Sequence, residues 1–229
     1  MSFWENYNKS LLVNAKEILQ YNEDNIFNYS EGRFYNHVRD LLAIVLSASS
    51  MQVSHNTKLK ILDFGSNPIV WSNLQNKIAI NNLDVTIFDP FSKKGDYKDL
   101  KFKFKMRVVN SISDLIGNDF DMSILGSVIQ YIPHFLKDLE NMQFLLNKKI
   151  FISHTPLSLK GVIQTKQLNM PNHHSEHTLH DFFQLTKVFK KLGYSQSFKS
   201  ILDPLEASVQ KKYLDRIIYA NILFEKKES

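Results

Sequence analysis

Hydrophobic and polar positions follow two different rhythms along this chain. Up to residue 50 the spacing is helical. Leu11, Leu12, Ala15, Ile18 and Leu19 repeat every three or four residues, and Phe34, Val38, Leu41, Leu42 and Val45 form one face of a second helix over Arg33 to Ser50. The polar, aromatic stretch Tyr21 to Gly32 between them reads as a loop. From Lys58 onward the pattern becomes short apolar runs separated by longer mixed segments. Lys60 to Gly65, Asp84 to Asp89, Phe102 to Val109, Asp121 to Gly126 and Lys149 to Ser153 have the length and composition of strands. Asn73 to Asn81, Ser111 to Ile116 and Pro133 to Asn147 read as the helices between them. After Thr155 the rhythm breaks, and residues 156–180 look like a polar loop. Asp181 to Leu192 is then a helix with Phe182, Phe183, Leu185, Val188 and Phe189 as its apolar stripe, stopped by Gly193. Ser195 to Ile201 and Arg216 to Phe224 are two late strands, suited to an antiparallel hairpin at a sheet edge.

Strands alternating with helices predict an α/β fold. The expectation is a Rossmann-like, seven-stranded, mostly parallel sheet with helices on both faces, an N-terminal helical lid and an antiparallel C-terminal edge hairpin. The lid would be residues 1–57 and the sheet domain residues 58–229.

Composition narrows the chemistry more than the fold. The 229 residues contain no cysteine, which excludes disulfides, thiolate metal sites and cysteine nucleophiles together. The net charge is +5. The densest basic stretch is Lys98, Lys101, Lys103, Lys105 and Arg107, interleaved with Phe102, Phe104 and Met106. That alternation fits a half-buried strand, with an RNA- or anion-binding face as the competing reading. Met1 to Ser10 lacks an apolar core and the longest apolar run, Leu41 to Leu46, is far too short to span a bilayer. A cytoplasmic protein without a membrane span is expected.

In an open α/β sheet, ligands bind outside the carboxyl ends of the strands. Four features of the chain belong there. Asp63 and Gly65 end the first strand, and a glycine lets a ligand approach the backbone closely. Asp89 ends the second strand, where an acid can hold both hydroxyls of a ribose. Each acid alone reads equally as a turn-former or cap. Asn110 and Ser111 follow the third strand, positioned for a nucleobase edge or for an ordinary helix N-cap. Gly126, Ser127, Gln130, Tyr131 and His134 follow the fourth. The first turn has neither the G-x-G-x-x-G pattern of a dinucleotide site nor the terminal lysine of a P-loop.

Leu62-Asp63-Phe64-Gly65, Phe88-Asp89 and the stretch from Asp121 to Pro133 together resemble the motifs of class I S-adenosylmethionine-dependent methyltransferases. More narrowly, Leu62 to Gly65, Val128-Ile129-Gln130-Tyr131-Ile132-Pro133 and His154-Thr155-Pro156-Leu157 resemble a bacterial methyltransferase family encoded among surface-polysaccharide genes. The resemblance covers about residues 58–225 and implies S-adenosylmethionine as cofactor. Asp63, Gly65 and Ser66 would meet its methionine end, Asp89 its ribose, and Asn110 and Ser111 its adenine. Ser127 and Gln130 would line the pocket near the sulfonium, with Tyr29, Phe34 and Tyr35 in the lid. The chain departs from the family at Ser66-Asn67-Pro68, where a second glycine is usual.

Methyl transfer to oxygen benefits from a base, and histidine titrates nearest neutrality. His154 is the first candidate, His134 the second, and His177 a third within the cluster His173, His174, His177 and His180. On a helix, His173, His177 and His180 would share a face and could hold a metal, but no matching carboxylate set accompanies them and no metal is assigned. The leading reading is O-methylation of a sugar or sugar-nucleotide acceptor in surface-polysaccharide synthesis. A catalytically degenerate scaffold and an RNA methyltransferase are the alternatives.

Overall fold

The computed structural model describes residues 33–50, 57–66, 68–78, 82–90, 100–170, 173–202 and 216–227. The proposed first lid helix, Tyr29, Asn67 and Lys98 lie outside them. Helix α1, Arg33–Ser50, occupies the span expected from the sequence and buries Leu42, Ala43, Val45 and Leu46.

Strands β1 (Leu59–Phe64), β2 (Leu83–Phe88), β3 (Lys105–Val109), β4 (Met122–Gly126), β5 (Lys149–Ser158), β8 (Tyr194–Leu202) and β9 (Ile217–Lys226) form a seven-stranded sheet in the order β3-β2-β1-β4-β5-β9-β8. Strands β6 (Ile163–Met170) and β7 (His173–Leu179) form a separate two-stranded sheet. β2 with β3, β1 with β4, and β4 with β5 are parallel, while β9 runs antiparallel to both β5 and β8. The seven-stranded, mostly parallel sheet and its C-terminal edge hairpin are as expected. By compactness the chain divides into two units, 1–60, 65–116 and 168–174 in one, and 61–64, 117–167 and 175–229 in the other.

In the first unit, β2 is buried at nearly every position, as a strand covered on both faces must be. Its neighbour β3 is an edge strand. Lys105 and Arg107 point outward there and pair with the residues directly opposite: Lys105 Nζ lies 2.7 Å from Asp84 Oδ2, and Arg107 Nε donates to Thr86 Oγ1 at 2.8 Å. Charges on an edge strand discourage pairing with foreign strands. Lys105 and Arg107 are therefore on a solvated strand face, whereas Lys101 and Lys103 lie exposed just before β3, which begins at Lys105 and not at Phe102. Phe104 turns inward, edge-on to the fully buried Trp71.

Trp71 sits on helix α2, Pro68–Leu74. The sequence pattern placed this helix at Asn73 to Asn81. Pro68 starts it earlier, because the pyrrolidine ring presets helical φ at a first-turn position that needs no N–H bond. The helix ends at Leu74, where Lys77 N closes a turn on Leu74 O.

In the second unit, the expected helix Pro133 to Asn147 breaks into helix α3, Phe135–Asp138, and two 3-10 turns, Leu139–Asn141 and Gln143–Leu145. The buried residues Leu139, Met142 and Leu145 are three apart, a spacing that lines up on a 3-10 helix and drifts on an α-helix. The Ser111 to Ile116 helix, in the first unit, contracts to a 3-10 turn over Ile112–Asp114, capped by Ser111, one of the two roles read for it. Helix α4, Phe182–Lys191, begins where Asp181 accepts from Gln184 N and ends at Gly193, φ +87°.

The largest correction concerns residues 156–180. The described residues of this segment include the last three of β5 and the β6 and β7 strands. Four residues span about 13 Å on a strand against about 6 Å on a helix, so the histidines do not form the helical face that a metal would need. Among the described residues no cluster of three metal-ligating side chains occurs, and no helix is long and apolar enough to cross a membrane.

Phe189 of α4 stacks on Phe224 of β9 at 4.3 Å and meets Tyr194 edge-on at 5.8 Å. Replacing it by alanine removes the ring joining helix to sheet. F189A should cost about 3–5 kcal/mol, read as a lower urea midpoint with an unchanged m-value.

Candidate functional site

The first unit offers a short ladder of strand-end bonds. Gly65 N–H donates to Phe88 O at 2.9 Å, and Asp89 N–H donates to Val109 O at 3.0 Å. Gly65 has φ +81°, a conformation that side chains resist. It is exposed, and Ser66 beside it is half-buried. Asp89 is buried directly at the end of β2. Asn110 and Ser111 are exposed after β3. Ser111 Oγ bonds Ser113 Oγ at 2.7 Å and accepts from Ser113 N, so its capping role is realised. Phe34 and Tyr35 lie on α1.

The second unit holds Asp63, buried in β1, and a tight polar group after β4. Ser127 and His154 are the two non-glycine residues with positive φ among the described residues, at +49° and +46°. They face each other. Ser127 N–H donates to Ser153 O at 2.9 Å. Ser127 Oγ lies 2.6 Å from His154 O and 3.0 Å from His154 Nδ1. Gln130, one turn on, donates through Nε2 to Ser127 O at 2.7 Å, and its Oε1 is buried with no partner among the described residues.

These contacts fix the histidine's tautomer. A carbonyl can only accept, so the single hydroxyl hydrogen of Ser127 goes to His154 O. Ser127 Oγ must then accept from Nδ1, which carries the imidazole hydrogen. The remaining lone pair is on Nε2, which is shielded from solvent. Burial pushes the imidazole down to about 4, so it is neutral near pH 7. The ring stacks on Tyr219 at 4.9 Å.

Sequence reasoning placed His154 at a strand end. It lies inside β5, at a bulge. The β5–β9 register passes from Ile152↔Ile222 to Thr155↔Ala220, setting Ser153 and His154 against Asn221 alone. Asn221 Oδ1 accepts from His154 N at 2.9 Å and from Ser153 Oγ at 3.4 Å. Asn221 was missed. Its signal was a lone amide in the run Ile217 to Phe224, where a buried polar group must have a partner.

The other histidines take different places. His134 is exposed, just before α3. His177 is buried edge-on to Tyr131, ring centroids 4.5 Å apart, and burial pushes it down to about 4. His180 Nε2–H donates to Ile129 O at 3.0 Å and Ile132 O at 3.1 Å. Burial lowers its pKa, an effect partly offset by those carbonyls. His177 and His180 thus grip the turn that carries Gln130 and Tyr131.

No protein-family model and no curated protein matches the chain. Solved structures do. The Burkholderia thailandensis 1,6-didemethyltoxoflavin-N1-methyltransferase, determined with 1,6-didemethyltoxoflavin and S-adenosylhomocysteine bound, is 9% identical with a TM-score of 0.57, covering 93% of this chain and 87% of that one. The magnesium protoporphyrin IX methyltransferase of Synechocystis PCC 6803, with S-adenosylmethionine bound, is 11% identical with a TM-score of 0.50, covering 86% of each chain. At such identities the likeness concerns the fold. The chain has the Rossmann-like fold of S-adenosylmethionine-dependent methyltransferases. The likenesses do not reach the narrower surface-polysaccharide family.

The buried histidines make stability depend on pH. His154 and His177 bind a proton near pH 6.5 when unfolded and near pH 4 when folded. Between those values the unfolded state holds more protons, so stability falls as pH falls. The melting temperature should drop from pH 6.5 to pH 4. Replacing His177 by glutamine should flatten that slope, and an unchanged slope would refute its assignment as a buried neutral group.

Proposed function

We propose that the protein is an S-adenosylmethionine-dependent methyltransferase acting on a hydroxyl of a sugar or sugar-linked acceptor. The observation that carries the cofactor assignment is Asp89, a buried carboxylate directly at the end of β2 and tied to β3 through its own N–H, in a fold shared with proteins that bind this cofactor.

The donor set fits the cofactor. Asp89 accepts hydrogen bonds from the two ribose hydroxyls. Gly65, without a side chain, lets the methionine end approach the backbone, and Asp63 supplies a negative charge for its ammonium. Asn110 and Ser111 border the adenine. Ser66 adds a hydroxyl beside Gly65, and in the second unit Ser127 and Gln130 supply polar groups after β4. The cofactor itself supplies an electrophilic methyl group on a sulfonium.

What this chain must add is orientation and a place for the acceptor's proton. His154 meets the second demand best, being neutral at pH 7 with its acceptor lone pair at Nε2. An acceptor must displace part of the cover over that nitrogen to reach it. His177 and His134 follow, the first neutral but packed on Tyr131, the second open to water. Among acceptor atoms, an oxygen or nitrogen bearing hydrogen is suited to such a lone pair. The sugar assignment rests on the resemblance of the Gln130 to Pro133 and His154 to Leu157 motifs.

Ser66-Asn67-Pro68 supports a second reading, a methyltransferase fold kept as a scaffold. Helix α2 starts at Pro68, which leaves one residue between Ser66 and the helix.

Calorimetry separates the two. S-adenosylhomocysteine should bind, and Asp89→Ala should weaken it tenfold or more. No heat at millimolar ligand would favour the scaffold. For the acceptor, methyl transfer to sugar nucleotides should be lost in His154→Ala.

A further inference from the structure

The bulge in β5 has a definite cause on the opposite strand. In a regular ladder one residue faces one. Here Ser153 and His154 together face Asn221. Asn221 is wholly buried, and one atom, its Oδ1, takes the N–H of His154 and the hydroxyl of Ser153. A backbone N–H lifted out of the ladder by a bulge needs such an acceptor. The bulge leaves His154 at φ +46°, a conformation costing of order 1–3 kcal/mol for a side-chain-bearing residue and held only where its surroundings over-determine it. That turn of the backbone carries both polar ends of His154, its carbonyl and Nδ1, to Ser127 Oγ.

We propose that Asn221 is a positioning residue: by accepting the His154 N–H it holds the β5 bulge open, and so sets the His154 imidazole on Ser127 with Nδ1 protonated and Nε2 as the acceptor nitrogen. The role in methyl transfer rests on the function proposed above. The positioning itself does not.

The chain of contacts makes the role specific. Remove the Asn221 acceptor, and the His154 N–H is buried without its partner unless β5 returns to one-to-one register. In that register His154 loses positive φ, and its side chain moves to the other face of the strand. Ser127 then loses both its contacts to His154, and nothing fixes the tautomer. A merely space-filling residue at 221 would leave the tautomer unchanged.

The test is nitrogen NMR of the His154 imidazole in the full chain at pH 7, without cofactor. Wild type should show the neutral form protonated at Nδ1. Asn221→Asp keeps an acceptor oxygen in place and should keep that form. Asn221→Leu, of similar size without an acceptor, should lose it. A folded Asn221→Leu protein with the Nδ1-protonated form intact overturns the proposal. Should Asn221→Leu fail to fold, Asn221→Asp decides alone. A carboxylate accepting the His154 N–H should move the imidazole titration upward by about one pH unit or more, and an unmoved titration overturns the proposal. Calorimetry with S-adenosylhomocysteine on the same samples keeps the two readings apart. Absence of binding with the expected imidazole signals rejects the methyltransferase and leaves Asn221 positioning His154, whereas binding with unperturbed signals does the reverse.

Discussion

Strands β1, β4 and β5 are covered on both faces over most of their length, and a strand so covered can leave no polar atom unpaired without a cost of roughly 1–3 kcal/mol each. Much else follows from that constraint. Ser123 in the middle of β4 takes a bond from Asn147 Nδ2 at 2.7 Å, and Thr155 in β5 turns its hydroxyl back onto Ser153 O at 3.0 Å. Most of the residues proposed above to meet a ligand lie where the ladder stops or is broken, Asp63 inside β1 being the exception. Gly65, Asp89, Asn110 and Ser127 stand where strands stop. His154 stands where a ladder is broken.

The two kinds of place are built differently. At the strand ends the chain needs only a turn and one bond onward, as Gly65 makes to Phe88 O and Asp89 to Val109 O. Inside β5 the break must be sustained by the neighbouring strand, and Asn221 does so from 67 residues away. A local device tolerates substitution around it. A break in the ladder ties the conformation of His154 to the identity of one residue on β9.

This difference sets what could be read from the sequence. β1, β2 and β4 were legible because each is a short apolar run ending in an acid or glycine, and α4 because Asp181 and Gly193 mark its ends within the same local stretch. The C-terminal hairpin was legible for the same reason. The continuation of β5 to Ser158 was hidden by Pro156, since proline argues against an interior strand position although here it pairs with Tyr219. The β6 and β7 strands were hidden because His173 to Leu179 shows no apolar alternation, its strand character residing in its partner. Among the candidate residues, the sequence places Asp63, Gly65 and Asp89 at or beside the ends of β1 and β2, as the strand bounds have them. Asn221 was not legible, because its role is a relation between strands that no window of sequence contains.

The histidines show the same point in chemical form. A chain without cysteine has only imidazole to titrate near neutrality, and sequence alone ranks its eight copies weakly. The fold ranks them by which nitrogen is committed. His180 spends Nε2–H on two main-chain carbonyls and so belongs to the scaffold of the turn after β4. His177 presents its ring to Tyr131 and stiffens the same turn. His154 spends Nδ1–H on Ser127, a partner that itself needs the His154 carbonyl, which leaves its ring lone pair on Nε2. Burial then makes this nitrogen a weak base, better suited to receiving a hydrogen bond from a hydroxyl as its proton departs than to removing that proton in advance. Such a site depends on how the acceptor is seated more than on how strongly it is deprotonated. On the function proposed above, the placing of that nitrogen depends on the bulge, and hence on Asn221.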